Sequence, residues 1–280
     1  MTDRPTTRPL TVLVCALGGE GGGVLAEWLY TAAVRAGHAA QATSIPGVAQ
    51  RTGATTYYIE IAPQADAPGA PRPVFSLSPV PGCIDLLVSS ELLETVRQAG
   101  AGFVARERTQ VISSTARALT VAEKMAQGDG RADAAALVAT LQRLALHVDL
   151  LDLAALAREA GTAISAVLLG AIAGSGVLPL PRSAYEEAIR AAGKGVASSL
   201  AGFALAHVRL VARRRQQAEA GAVIDSAIAA AMDAKAGVKA GATDAAAQAS
   251  RPAPLEPAAL RRLARTRVAA WQDEAYARLY

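Results

Sequence analysis

The sequence predicts an α/β fold, a Rossmann-like and mainly parallel sheet with flanking helices plus a helical C-terminal extension. Three observations predict it. Short apolar runs bounded by turn residues alternate with segments of helical periodicity, the pattern of a layered sheet whose parallel strands are joined by helices. The first run, Thr11 to Leu17, passes through the glycines of Gly18-Gly19-Glu20-Gly21-Gly22-Gly23 into a helical pattern, which is a βα unit. Past about residue 195 the short apolar runs cease and helix-forming sequence continues.

In the first helix Val24, Leu25, Trp28, Leu29, Ala32, Ala33 and Ala36 recur at helical spacing, and Gly37 is a natural stop. Residues 54–61 are rich in β-branched and aromatic side chains and read as a strand, as do the short apolar runs 84–88 and 110–113. A short amphipathic helix occupies 91–98, and helical patterns follow near 131–145, 151–160, 163–173 and 183–192. Residues 63–82, rich in Pro, Ala and Gly, read as an excursion between strands, either a surface loop or a partner-facing one. The uncharged stretch 162–181 is long enough to suggest a membrane span, but Gly174, Gly176 and Pro179 interrupt it, and a buried helix is the better reading.

Beyond the core, a helix over 194–217 and an alanine-rich helix over about 221–235 are expected. Residues 236–256 hold few large apolar groups and cannot bury enough surface to offset chain entropy, so they read as a linker before a last helix over 257–280. The expected organisation is therefore a core over 10–210, a helical extension over 211–235, that linker, and a final helix that packs on another subunit or leads into further helical sequence. Arg213-Arg214-Arg215 reads as a solvated helix end, with docking to an acidic partner as the alternative.

Composition narrows the function. The formal charge is +4, but aromatics are only 4% of residues and none interleave with the basic ones, so no nucleic-acid partner is expected. Two cysteines, Cys15 and Cys83, cannot form a disulfide framework or ligate a four-thiolate cluster. Residues 1–10 and the apolar run after them do not resemble a secretory leader, and the expected compartment is the cytoplasm. The three histidines lie far apart in sequence with no metal-ligand spacing, and the serines show no nucleophile elbow, so neither a metal site nor a hydrolase is suggested.

A strand, glycine loop and helix also open the NAD(P) fold. That fold places an acidic residue at the end of its second strand to hold the ribose, and here no Asp or Glu occurs between Glu27 and Glu60. The loop likewise lacks the Lys-Ser/Thr of a P-loop. A second segment, Ser44 to Gly53, supplies Gln50 and Arg51. Arg51 is the only Lys or Arg between Arg35 and Arg72, framed by Pro46, Gly47 and Gly53; it suits a carboxylate, a phosphate or an acid on a partner subunit, or is an ordinary surface arginine.

On these two segments the chain resembles the gamma-type domain of the 2-oxoacid:ferredoxin oxidoreductases, and within them the indolepyruvate oxidoreductase beta subunits. The early G-G-Q-G loop is matched by Gly18-Gly19-Glu20-Gly21, and the later H-G-M-x-Q-R-G-G signature by Pro46 to Gly53. The similarity runs on through Asp85-Leu86-Leu87, the helix start at Glu91 and the region from Pro181 to Phe203, and so covers about residues 10–210. Three positions depart: Glu20 replaces glutamine, Pro46 histidine and Thr52 glycine. A carboxylate at position 20 argues against a phosphate bound by the loop itself.

The resemblance implies oxidative decarboxylation of an indolepyruvate-like 2-oxoacid to an acyl-CoA, with electrons passed to ferredoxin. It implies that thiamine diphosphate, magnesium and [4Fe–4S] clusters belong to an alpha subunit, that coenzyme A is a co-substrate, and that this chain binds no cofactor alone and is inactive without its partner. Gly18, Gly19 and Gly21 would then permit close backbone approach at a ligand or subunit interface, while Gln50 and Arg51 would contact substrate, coenzyme A or a partner acid. Two other readings stand beside it, a noncatalytic Rossmann-like assembly module and a free-standing NAD(P) oxidoreductase.

Overall fold

The computed structural model describes residues 8–45, 54–63, 73–127 and 129–239. The glutamine and arginine at 50 and 51, the expected linker from 240 onward and the final helix lie outside the described residues. By contacts the chain divides into two units, Met1–Ala218 and Glu219–Tyr280.

The first unit is built on a six-stranded sheet of order β2-β3-β1-β4-β5-β6. Strand β1 (Leu10–Leu17) is an unbroken apolar run because both its faces are covered: Val12 and Val14 enter one core, Leu13 and Cys15 the other. Strands β4 (Leu86–Ser89), β5 (Gln110–Ser114) and β6 (His147–Leu151) follow it in parallel pairing. Strand β3 (Ala54–Ala62) pairs antiparallel with both β1 and β2 (Ala39–Ile45). Since β2 and β1 are each antiparallel to β3, five strands run one way and only β3 is reversed, so the sheet is mainly parallel, with one reversal that the alternation of elements does not reveal.

Two strands depart from the sequence expectation. The residues of β2, Ala-Ala-Gln-Ala-Thr-Ser-Ile, lack a strong β pattern, and an edge position supported by β3 and α1 makes the strand. Strand β6 is five residues between two helical patterns, with a fully buried Asp149 at its centre.

Helices α2 (Leu92–Gly100) and α4 (Ala134–Leu144) cover one face around Leu13, Ile84, Leu87 and Val111. Helix α2 starts where the sequence places it, with the Glu91 carboxylate accepting the Glu94 N–H at 2.6 Å as its N-cap. A five-residue helix, α3 (Val121–Met125), begins in a Thr120/Glu123 capping box. On the opposite face lie α1 (Gly22–Arg35), α5 (Leu153–Glu159), α6 (Ile164–Ser175), α7 (Arg182–Ala192) and the start of α8 (Val196–Lys239).

Helix α6 is the uncharged stretch. It is buried over most of its 12 residues and stops at Gly176, which takes the left-handed conformation, so its apolar composition reflects burial in the core. It meets α8 backbone to backbone: a Cβ on Gly170 would lie 2.1 Å from the Phe203 carbonyl oxygen. Helix α8 turns Phe203, Ala206 and Leu210 into the same core. It continues to Lys239 where the sequence suggests two helices and then a linker from 236; Ala218, Ala220 and Ala222 are strong helix formers and outweigh the cost of Gly221, about 1 kcal/mol. Val196–Val223 is by length and composition apolar enough to cross a membrane, a property it shares with core helices of globular proteins.

Arg213 and Arg214 are not a solvated helix end. Arg213 donates to the Leu150 carbonyl, and Arg214 donates to Asp149 Oδ2 (2.6 and 2.9 Å), the Ser175 carbonyl (2.6 Å) and Gln110 Oε1 (2.9 Å), fastening α8 to β5, β6 and the end of α6. His147 Nε2 lies 3.2 Å from the other oxygen of Asp149. On the same amino edge of the sheet, burial alone would raise the Asp85 carboxyl, but hydrogen bonds from Arg8, Arg108 and Thr11 hold it at about 2. The described part of the excursion, 73–82, is fastened too: the Ser76 N–H donates to the buried Glu60 at 2.7 Å, and Gln41 donates to the Ser76 carbonyl at 3.0 Å.

Candidate functional site

In open α/β sheets, ligands gather at the carboxyl ends of the parallel strands, because loops and helix N-termini converge there. Here that edge carries the glycine loop after β1, Ser89-Ser90-Glu91 after β4 and Ser113-Ser114 at the end of β5. The antiparallel register adds to it. Leu17 is paired with Ala54 and Ile45 with Thr56, so the described flanks of the segment holding Gln50 and Arg51 end at the edge that holds the glycine loop. Two stretches separated in sequence by α1 and β2 are thus rooted side by side.

The loop is shaped by its glycines, unequally. Gly19 (φ +87°) and Gly21 (φ +79°) sit in the left-handed region, which costs any other residue strain. Gly18 and Gly19 are exposed, and among the described residues nothing lies within 4 Å of a Cβ placed on Gly19. Gly21 faces inward, its Cβ position 2.9 Å from Ser165 Oγ at the start of α6. Gly22, the first residue of α1, is closed in by Ala16 Cβ (2.7 Å) and the Tyr57 ring (2.8 Å). Gly21 thus makes its close approach to the chain's own α6, whereas Gly19 has no described atom before its Cβ position and Gly18 is exposed beside it.

Glu20 folds back. Its Oε2 accepts the Leu17 N–H at 3.2 Å and the Ser90 hydroxyl, while the Ser90 N–H donates to the Cys15 carbonyl at 3.1 Å. The carboxylate is thus held by donors from the end of β1 and from the residue after β4. Beside it, the buried Glu91 accepts the Ala118 N–H at 3.1 Å and lies 3.4 Å from Arg117 Nε, and Arg117 also pairs with Glu123. These acids are engaged with the chain's own donors. The Cys15 thiol is fully buried and its pKa is pushed well up, by burial and then by Glu94, so it is not a nucleophile.

Next to the loop, a cleft of about 530 Å³ opens between α1 and the edge strand β2, lined by Gly23, Glu27, Tyr30, Thr43, Ser44 and Tyr57 among others. Nothing in the sequence assigns the side chains lining this cleft a site role; Tyr57 could be found only from its strand register opposite Val14. The serines at these strand ends, Ser90 above all, likewise carried no site signal in the sequence, because their roles depend on which strand ends meet. Among the described residues no group of three His, Cys, Asp or Glu could hold a metal ion.

Residues 11–211 match the family model described as pyruvate ferredoxin/flavodoxin oxidoreductase. No curated protein matches the chain by sequence. Among solved structures, a keto/oxoacid ferredoxin oxidoreductase gamma subunit from Geobacter sulfurreducens PCA is 15% identical with a TM-score of 0.49, over 72% of this chain and 99% of that one. A 2-oxoglutarate:ferredoxin oxidoreductase from Magnetococcus marinus, solved with 2-oxoglutarate, coenzyme A and succinyl-CoA bound, is 17% identical with a TM-score of 0.48, over 72% of this chain and 32% of that one. A pyruvate oxidoreductase subunit from Thermotoga maritima is 16% identical with a TM-score of 0.48, over 73% of this chain and 96% of that one.

Proposed function

Because the chain belongs to the pyruvate ferredoxin/flavodoxin oxidoreductase family, we propose that it is the subunit of a 2-oxoacid oxidoreductase that does not bind thiamine, acting on indolepyruvate or another arylpyruvate. The holoenzyme decarboxylates the 2-oxoacid, passes two electrons to ferredoxin and releases an acyl-CoA. The observation that carries this reading is the family match over nearly the whole first unit. The indolepyruvate assignment is supported by the resemblance of the Gly18–Gly21 and Pro46–Gly53 segments to that branch of the family.

The donor set of this chain does not suit the redox groups. A [4Fe–4S] cluster takes four thiolates, and the two cysteines here lie near opposite ends of their strands, Cys15 toward the carboxyl end of β1 and Cys83 before β4. Thiamine diphosphate, its magnesium and the clusters are accordingly assigned to an alpha subunit. Within this chain, the exposed Gly18 and Gly19 are assigned to close backbone approach, and Gln50 and Arg51 to coenzyme A, substrate or a partner acid. Residues 219–280 are assigned to assembly.

The inward packing of Gly21 and Gly22 favours a second reading, an assembly module whose glycine loop only packs. Capture of the full chain with its native partner, followed by assay of arylpyruvate- and coenzyme A-dependent dye reduction, separates the two. A cysteine-rich, thiamine-binding partner with that activity is the expected result. A partner complex inert to every 2-oxoacid tested would favour the module.

A further inference from the structure

The glycine loop has six residues and one side chain of its own, that of Glu20. Left-handed glycines flank it on both sides, and glycine backbones move freely unless something ties them. The tie is local and well defined. The Glu20 N–H donates to the Leu17 carbonyl at 3.1 Å, the Leu17 N–H is shared between Glu20 Oε2 and Ser90 Oγ at 3.2 Å each, and the Ser90 hydroxyl donates to Glu20. Ser90 is only 2% exposed, and its own N–H is spent on β1, so it is a fixed point and not a mobile surface group.

We infer that Glu20 and Ser90 form a latch that sets the backbone of the glycine loop, and that Glu20 is a positioning residue for the coenzyme A contact made at Gly18 and Gly19. The identity of that contact rests on the functional reading above; the latch does not. A carboxylate suits the role because both groups it meets are donors, and charge-assisted hydrogen bonds are roughly twice as strong as neutral ones. A glutamine can turn its carbonyl oxygen to the same two donors and keep a weaker latch, whereas alanine cannot make it.

The test has two readouts. In the full chain alone, hydrogen exchange at the Leu17 and Glu20 amides is expected to accelerate about 10-fold or more in Glu20→Ala and Ser90→Ala, to rise no further in the double variant, and to stay near wild type in Glu20→Gln, as the latch's hydrogen bonds protect those amides. In the reconstituted holoenzyme, Glu20→Ala is expected to raise the KM for coenzyme A with kcat little changed, and Glu20→Gln to restore it. Exchange at wild-type rates in both alanine variants would overturn the latch. Faster exchange with an unmoved KM would overturn the positioning role. Failure of the functional reading would show separately, as a wild-type complex without coenzyme A-dependent turnover whatever the exchange rates.

Discussion

Arg214→Met removes the guanidinium that fastens α8 to the sheet while keeping most of the side chain's apolar stem. Asp149, fully buried at the centre of β6, loses two charge-assisted hydrogen bonds, and the Ser175 carbonyl and Gln110 lose one each. His147, at 3.2 Å, is its one remaining side-chain neighbour among these contacts. Breaking a buried ion pair from one side costs about 3–5 kcal/mol, because the carboxylate stays in low dielectric without its partner. For a unit of this size each kcal/mol lowers Tm by about 2–4 °C, so the variant should melt roughly 6–20 °C below wild type at pH 7. Circular dichroism against temperature and urea measures both quantities. Arg213→Met, which removes one hydrogen bond to the Leu150 carbonyl, should lose only about 1 kcal/mol. Asp149→Leu combined with Arg214→Met should regain much of the loss, since no charge is then left buried. An Arg214→Met chain melting within about 2 °C of wild type would show that the network is not a clamp and refute the reasoning.

The remaining predictions concern acid stability, packing and the candidate site. Asp85 is held near 2 from a usual 3.8, so its contribution is fully present above about pH 4 and is lost as pH falls toward 2; at 1.36 kcal/mol per unit this is about 2 kcal/mol, read as the narrowing gap in denaturant stability between wild type and Asp85→Asn from pH 5 to 2. Gly22→Ala drives a methyl into Ala16 and the Tyr57 ring and should cost about 1–3 kcal/mol, partly relieved by Tyr57→Leu, whereas Gly19→Ala meets no atom of the described residues and should cost only the left-handed strain of about 1 kcal/mol. In the holoenzyme, Arg51→Ala should weaken coenzyme A or the partner contact about 10- to 100-fold, the value of one charge-assisted hydrogen bond; unchanged turnover and affinity would remove Arg51 from the site. A chain ending after Ala218 should keep the melting transition of the first unit and lose assembly, checked by sedimentation with the partner.

The parts of the fold readable from the residues are those with a local cause. Residues 11–17 and 54–61 announce strands because apolar, aromatic or β-branched side chains dominate them, and Glu91 announces a helix start because its carboxylate caps the turn that follows it. The two glycine-bearing segments were recognisable for the same reason, as short patterns of fixed spacing. Strands β2 and β6 were not, because Ala-Gln-Ala-Thr and His-Val-Asp become strands only when a neighbour supplies hydrogen bonds, and Asp149 enters a core only because Arg214, 65 residues later, reaches it.

What the sequence determined by itself is the class of the fold, the βα unit around the glycine loop and the membership that those motifs signal, since period, turn chemistry and motif spacing are properties of neighbouring residues. The tertiary structure alone decided that β3 runs against its neighbours, so that the flanks of residues 46–53 end beside the glycine loop. It also decided that Glu20 turns to Ser90, that Gly21 and Gly22 are spent on internal packing, and that Arg213 and Arg214 hold a helix in place instead of ending one. Each of these depends on pairings across tens of residues, where the energy lies in contacts and burial that no local pattern encodes.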